Sequence, residues 1–225
     1  MPRPPLRYPL AALAAFTALL VLVTTRWAPL AGLDAGVSGR LLAYGHDHPA
    51  WIGTLRAVTD AGATWVFMSA GGLLAAACLL RRAYAEAAVI GLATLVTPVV
   101  WSLLHWWLQR PRPVGGVLVL TSNGYPSGHT THATVAGLLA VLLLWRRLGP
   151  SGRATVVCAA VVAALVIGVS RAALLAHWPA DVLGGWLLGL GLAALYPHAA
   201  RAIPTRGAVS SRGSAARPLK PPPSA

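Results

Sequence analysis

Acidic residues are scarce: five Asp and Glu stand against 18 Lys and Arg in 225 residues, and only 10% of the chain is charged. An ordinary soluble domain carries about 25% charged residues, so that class is excluded. With 56% hydrophobic residues and a mean hydropathy of +0.66, what remains is an integral membrane protein. Cysteine is as rare. Cys78 and Cys158 fall in separate apolar runs, without the paired spacing of a metal site or a disulfide framework, and read as small core residues. The shortage of acid leaves a formal charge of +13, which on a soluble chain would suggest nucleic acid. Here the basic residues flank apolar runs, at Arg81 and Arg82, at Arg146, Arg147 and Arg153, and from Arg201 to Lys220. That is the pattern of topology signals and anionic lipid headgroups, so the expected partner is the bilayer and not nucleic acid.

Six apolar runs are present, at about 8–23, 62–80, 83–107, 130–145, 154–170 and 182–196. They predict an all-α polytopic protein, a bundle of six transmembrane helices filling residues 1–200. The first run, preceded by Arg3 and Arg7, fits a retained helix; a signal peptide is the alternative, with a weak cleavage site around 28–31 where Pro29 intrudes. The fourth and fifth runs are short for a full bilayer. Between 26 and 60, Gly32, Gly36, Gly39, Gly45 and Pro49 interrupt any long helix, so the segment reads as an interfacial connector with a short amphipathic helix over 37–44. His46, Asp47 and His48 within it read as solvated polar groups, because adjacent side chains rarely converge on one ion. The tail, 201–225, is rich in Pro, Ser, Gly and Arg and is expected to be a disordered, basic, cytoplasmic segment.

A cytoplasmic N terminus puts twelve of the 18 basic residues inside, with the C terminus also cytoplasmic. Three polar segments then share the extracytoplasmic side. One runs from His105 through Arg110-Pro111-Arg112-Pro113 at the end of the third run. A second is Tyr125-Pro126-Ser127-Gly128-His129 at the start of the fourth. The third spans Ser170-Arg171 to His177 and Asp181, between the fifth and sixth. Pro126 restricts the backbone, Ser127 is a good N-cap, and free N–H groups at a helix start favour an anion. Gly128 leaves room for a ligand, and His129 can move protons near neutral pH. A lone tetrapeptide of this kind is as easily a capped helix start. Guanidiniums, a helix N terminus, two histidines and an Asp on one membrane face form the parts list of a phosphate-cleaving site.

These segments resemble the three motifs of the type 2 phosphatidic acid phosphatase superfamily, which includes lipid phosphate phosphatases and vanadium haloperoxidases: Lys-x6-Arg-Pro, Pro-Ser-Gly-His and Ser-Arg-x5-His-x3-Asp. The second is complete at Pro126 to His129 and the third at Ser170, Arg171, His177 and Asp181; the first has Arg112-Pro113 but carries His105 in place of Lys. The motif-bearing core covers about 83–196. The resemblance implies that His177 is the nucleophile, forming a phosphohistidine, with Asp181 on its other ring nitrogen. It implies that His129 is the general acid and then base, and that Arg112, Arg171, Ser127 and the Gly128 amide hold the phosphoryl oxygens. It also implies no cofactor and no metal, since the arginines neutralise the charge. By the same resemblance the substrate is a membrane lipid phosphate: undecaprenyl diphosphate, phosphatidate or phosphatidylglycerol phosphate.

The departure at His105 has two readings. As a phosphate ligand it is only partly protonated at neutral pH, unlike Lys, which predicts weaker, acid-favoured or retuned activity with Arg110 sharing the binding. Alternatively it belongs to an aromatic interface belt with Trp101, Trp106 and Trp107. A membrane protein that binds lipid phosphate with weakened catalysis, and a haloperoxidase-like enzyme holding vanadate, are the two other functional classes; the apolar runs speak against the latter. His132, on the helical face of His129, is a candidate neighbour of the site or a polar group within the bundle.

Overall fold

A computed structural model describes residues 1–116, 118 and 123–202; most of the expected disordered tail, 203–225, lies outside the described residues. Among the described residues eight α-helices follow one another: α1 (Arg7–Thr24), α2 (Ala28–Asp47), α3 (Pro49–Thr59), α4 (Thr64–Leu80), α5 (Tyr84–Leu108), α6 (Gly128–Leu144), α7 (Pro150–Ala173) and α8 (Pro179–Ala199). No strand occurs among the described residues. Five stretches among the described residues are long and apolar enough to cross a membrane: α1, the Pro49–Leu80 segment containing α3 and α4, α5, α7 and α8. The α6 helix is apolar but has 17 residues, about 26 Å at 1.5 Å per residue. Its shortness agrees with expectation, whereas α7, at 24 residues, is longer than its apolar run. Pro150 opens it a turn early, and Arg171 rides in its last turn.

The connector is the main correction. Residues 28–59 are almost wholly helical, in α2 and α3. Pro29 and Pro49 sit in the first turns of these helices, where a missing N–H is harmless, so they start helices instead of breaking them. Gly32, Gly36 and Gly39 stand in open space, each a propensity penalty of about 1 kcal/mol that the helix tolerates. What ties α2 down is one face, Asp34 and Ser38, a turn apart and the only buried residues of the helix. That face meets α7 and α8.

The centre of the bundle is α6 and α8, with α7 beside α6, α1 against α8, and α4 paired with α5. With no aqueous phase to drive apolar burial, such helices associate through close backbone approach at small residues. Gly185 and Gly189 provide it on α8: an added Cβ would lie 2.8 Å from the Ser127 carbonyl oxygen at the first and 2.7 Å from Thr134 Cβ at the second. Gly137 of α6 meets Ala160 of α7 in the same way, at 3.1 Å. Large apolar side chains such as Trp65, Leu73, Leu80, Leu95 and Trp106 point outward, the arrangement of a protein whose surroundings are lipid. Gln109, in the left-handed region at φ 44°, turns the chain out of α5 into the segment that returns at Gly128.

Candidate active site

The end of α5, the segment before α6, the start of α6, the end of α7 and the start of α8 converge at one end of the bundle. His177 lies between α7 and α8 and is 2% exposed. Its position is fixed from behind, because the Arg171 carbonyl accepts both the Ala176 and His177 amides, at 3.0 and 3.2 Å. Its Nδ1 lies 2.6 Å from the Gly124 carbonyl oxygen, so Nδ1 carries the proton and donates it, and Nε2 presents a lone pair. That nitrogen is 3.3 Å from Arg112 Nη1. Burial, followed by the guanidiniums of Arg112 and Arg171, holds the imidazole well below its ordinary pKa, so it is neutral at pH 7.

Arg112 donates through Nη1 to the Ala176 carbonyl. Burial lowers the pKa of its guanidinium and the Asp181 carboxylate opposes that shift. Arg171, 3% exposed, donates to Thr59 Oγ1 at 3.2 Å and keeps a buried Nε with no hydrogen-bond partner. Two guanidiniums therefore flank His177, one from the α5–α6 segment and one from α7.

Asp181 departs from expectation. Its Oδ2 accepts the Trp178 amide at 2.8 Å, closing the first turn of α8, and stands 3.7 Å from His177 Nδ1, beyond hydrogen-bond reach. Its Oδ1 is paired with Arg110, which also reaches Asp34 Oδ2 at 2.6 Å. The side chain expected to share phosphate binding is thus held between two buried carboxylates. Asp34 lies in the segment whose sequence reads as a connector, marked there only as a carboxylate in a chain that has five acidic residues.

Ser127 occupies the N-cap position of α6 with an extended backbone, but its side chain makes no cap bond. It is fully buried, and its Oγ accepts from Thr130 Oγ1 at 2.9 Å. Its amide donates to the Asp181 carbonyl at 3.0 Å, joining the starts of α6 and α8. Gly128 is required by Trp101: a Cβ there would lie 2.6 Å from the indole Cε2, whose Nε1 donates to the Pro126 carbonyl at 3.0 Å. His129, half-buried, has Arg171, His177 and Arg112 as electrostatic neighbours.

His105 is 6% exposed in the last turn of α5. Its ring is 4.6 Å from Trp101 and 6.5 Å from His177, centroid to centroid. Both ring nitrogens are buried without a hydrogen-bond partner. Trp106 and Trp107, by contrast, are exposed, so His105 sits on the inner side of that aromatic group. His132 is fully buried, stacked on Phe67 at 4.8 Å. Beside it a cavity of about 220 Å³ runs between α4, α5 and α6, lined among others by Gly62, Phe67, Gly71, Thr94 and Leu139. Gly62 lies against His129, an added Cβ falling 3.2 Å from the His129 Cβ. His46 and Asp47 are highly exposed, and His48 stacks on Tyr44 at 4.0 Å.

A family model described as the PAP2 superfamily matches residues 86–203. Phosphatidylglycerophosphatase B of Bacillus subtilis (strain 168) is 35% identical over 91 residues, 39% of this chain and 45% of that protein, so the alignment spans less than half the relative's length. The crystal structure of a transmembrane PAP2-type phosphatidylglycerolphosphate phosphatase from Bacillus subtilis superposes with a TM-score of 0.77. The superposition covers 88% of this chain and 98% of that one at 22% identity, a likeness of fold.

Proposed function

The chain belongs to the PAP2 superfamily, and on that premise we propose that it is a membrane phosphatase acting on a lipid phosphate or diphosphate from the extracytoplasmic side, with α6 as a sixth span and both termini cytoplasmic. One observation carries the reading. His177 is neutral, donates Nδ1–H to Gly124, and turns its Nε2 lone pair toward Arg112 within a ring of Arg171, His129 and His105. A neutral imidazole with a fixed tautomer beside two guanidiniums is an activated nucleophile facing a dianion site.

In the proposed reaction Nε2 attacks phosphorus in line and forms the N–P bond as the P–O bond to the lipid breaks. The departing oxygen takes a proton from His129, which then accepts one from the water that hydrolyses the phosphohistidine. Arg112 and Arg171 neutralise the charge gathering on the phosphoryl oxygens, the task a divalent ion performs elsewhere, so no metal is invoked. Asp181, 3.7 Å from Nδ1, acts on the developing imidazolium as a nearby charge, while Gly124 is the hydrogen-bonding partner. Ser127 and the Gly128 amide lie at the start of α6, and His105 offers a ring N–H where the family motif has a lysine.

The apolar cavity lined by Gly62, which itself lies against His129, suits the hydrocarbon of a substrate that stays in the bilayer. Phosphatidylglycerol phosphate is favoured by the names of the relatives; phosphatidate and undecaprenyl diphosphate share the same chemistry. Detergent-purified protein assayed on all three tests this. Wild type is expected to release phosphate and His177→Ala to release none; equal release by both contradicts the enzyme reading.

A further inference from the structure

We propose that Asp34, in α2 and outside the part of the chain matched by the family model, is a positioning residue for the reaction at His177, acting through Arg110. The inference rests on the phosphatase reading. Both acceptors near His177 Nδ1 lead back to Arg110. The Gly124 carbonyl accepts the Nδ1 proton at 2.6 Å, and the Gly124 amide in turn donates to the Arg110 carbonyl at 2.8 Å. The Asp181 carboxylate, 3.7 Å from Nδ1, is paired with the Arg110 guanidinium. One residue therefore sets the first acceptor through its backbone and the second through its side chain.

Arg110 is itself held by Asp34. The carboxylate is 2% exposed, pairs with Arg110 Nη2 at 2.6 Å, and accepts the Ala180 amide in the first turn of α8 at 2.9 Å. It spans the gap between α2 and the helix that carries Asp181. Without it, Arg110 keeps only the Asp181 carboxylate, and the two acceptors it sets beside Nδ1 are no longer held in place. Asp34, Arg110 and Asp181 together carry one net negative charge close to the imidazole. That charge favours the cationic phosphohistidine and is worth most where water is excluded. The other groups facing His177 are Arg112 from the α5–α6 segment, Arg171 from α7, His105 from α5 and His129 from α6. None of them supplies a negative charge, so the triad is the imidazolium's counter-charge.

The test compares wild type with Asp34→Asn, Asp34→Glu, Arg110→Gln and the double variant Asp34→Asn/Arg110→Gln, as full chains in detergent, measuring kcat, KM and the pH profile. Asp34 touches no phosphate, so Asp34→Asn is expected to lower kcat by about 10- to 100-fold, the range for partners that orient a reacting group, with KM nearly unchanged. The acid limb of the profile moves to lower pH, because a negative charge near the imidazole is gone. In the Arg110→Gln background the same change adds little, since Asp34 acts through Arg110. Asp34→Glu keeps the charge and restores most of kcat; should Asp34→Asn fail to fold, this variant decides, and loss of kcat with the charge retained overturns the proposal. So do wild-type kcat in Asp34→Asn, an effect on KM alone, or additivity with Arg110→Gln. A wild-type protein that releases no phosphate refutes the phosphatase reading instead, so the two failures are distinct.

Discussion

Gly185→Ala places a methyl group where α8 touches the start of α6. The new Cβ would stand 2.8 Å from the Ser127 carbonyl oxygen and 2.8 Å from Thr130 Cβ. Neither can swing aside, since one is backbone and the other the branch point of a fully buried side chain. Ordinary contact begins near 3.4 Å, so the two helices must part by about 0.6 Å, and overpacking of this kind costs about 1–3 kcal/mol. The Ser127 amide to Asp181 carbonyl bond, 3.0 Å long, spans the same seam and lengthens with it. His129 rides on α6 and Asp181 on α8, so the walls of the site separate too. A 1 Å misplacement can cost about 100-fold in rate, which makes about 10-fold a fair expectation here. The control is Gly72→Ala in α4, where an added Cβ meets nothing within 4 Å, and the helix gains about 1 kcal/mol of propensity. Thermal melting in detergent and phosphate release are the assays. Gly185→Ala melting and turning over like wild type, or Gly72→Ala falling as far, would refute the packing argument.

His105→Lys puts a permanent charge where both ring nitrogens are unpartnered. At pH 8 it is expected to lower KM several-fold, and by less at pH 6; no change at either pH favours a purely structural role for His105. The lowered pKa of His177 has a stability consequence whose sign follows from linkage. Below about pH 6.5 the unfolded chain binds a proton that the buried imidazole refuses, so stability falls as pH drops from 6.5 toward the folded-state value. Melting curves from pH 8 to 5 should show that decline, and His177→Ala should shallow it; an unchanged slope contradicts the assignment. Arg171→Lys keeps the charge but loses the geometry that reaches Thr59, and is expected to raise KM and lower kcat together, by about 10-fold or more in kcat/KM. Unchanged steady-state constants would remove Arg171 from the phosphate site.

That three polar segments meet at one end of the bundle was legible in the sequence, because each borders the same end of an apolar run. Their partners were not. Gly124 offers His177 a main-chain carbonyl, which leaves no mark in a side-chain pattern. Asp34 acts across the bundle from a segment whose glycines and prolines read as a connector. Those prolines start helices when they fall in a first turn, and a sequence alone does not say whether the preceding residue has already broken the chain's direction. Ser127 has the identity of a capping residue, yet its Oγ accepts from the Thr130 hydroxyl and from no first-turn amide of α6. The apolar spans were readable as runs, but the ends of α7 were not, since Pro150 opens the helix ahead of the run and Arg171, a charged residue, lies inside its last turn.

The central claim is that His177 Nε2 is the atom that takes the phosphoryl group. Rapid quenching of the purified protein with a lipid substrate carrying labelled phosphate, followed by peptide mapping, measures it directly. The predicted result is an acid-labile, base-stable phosphopeptide containing His177, retained in His129→Ala with slowed turnover and missing from His177→Ala. Phosphoenzyme formed in His177→Ala, or label mapped to any other residue, contradicts the account.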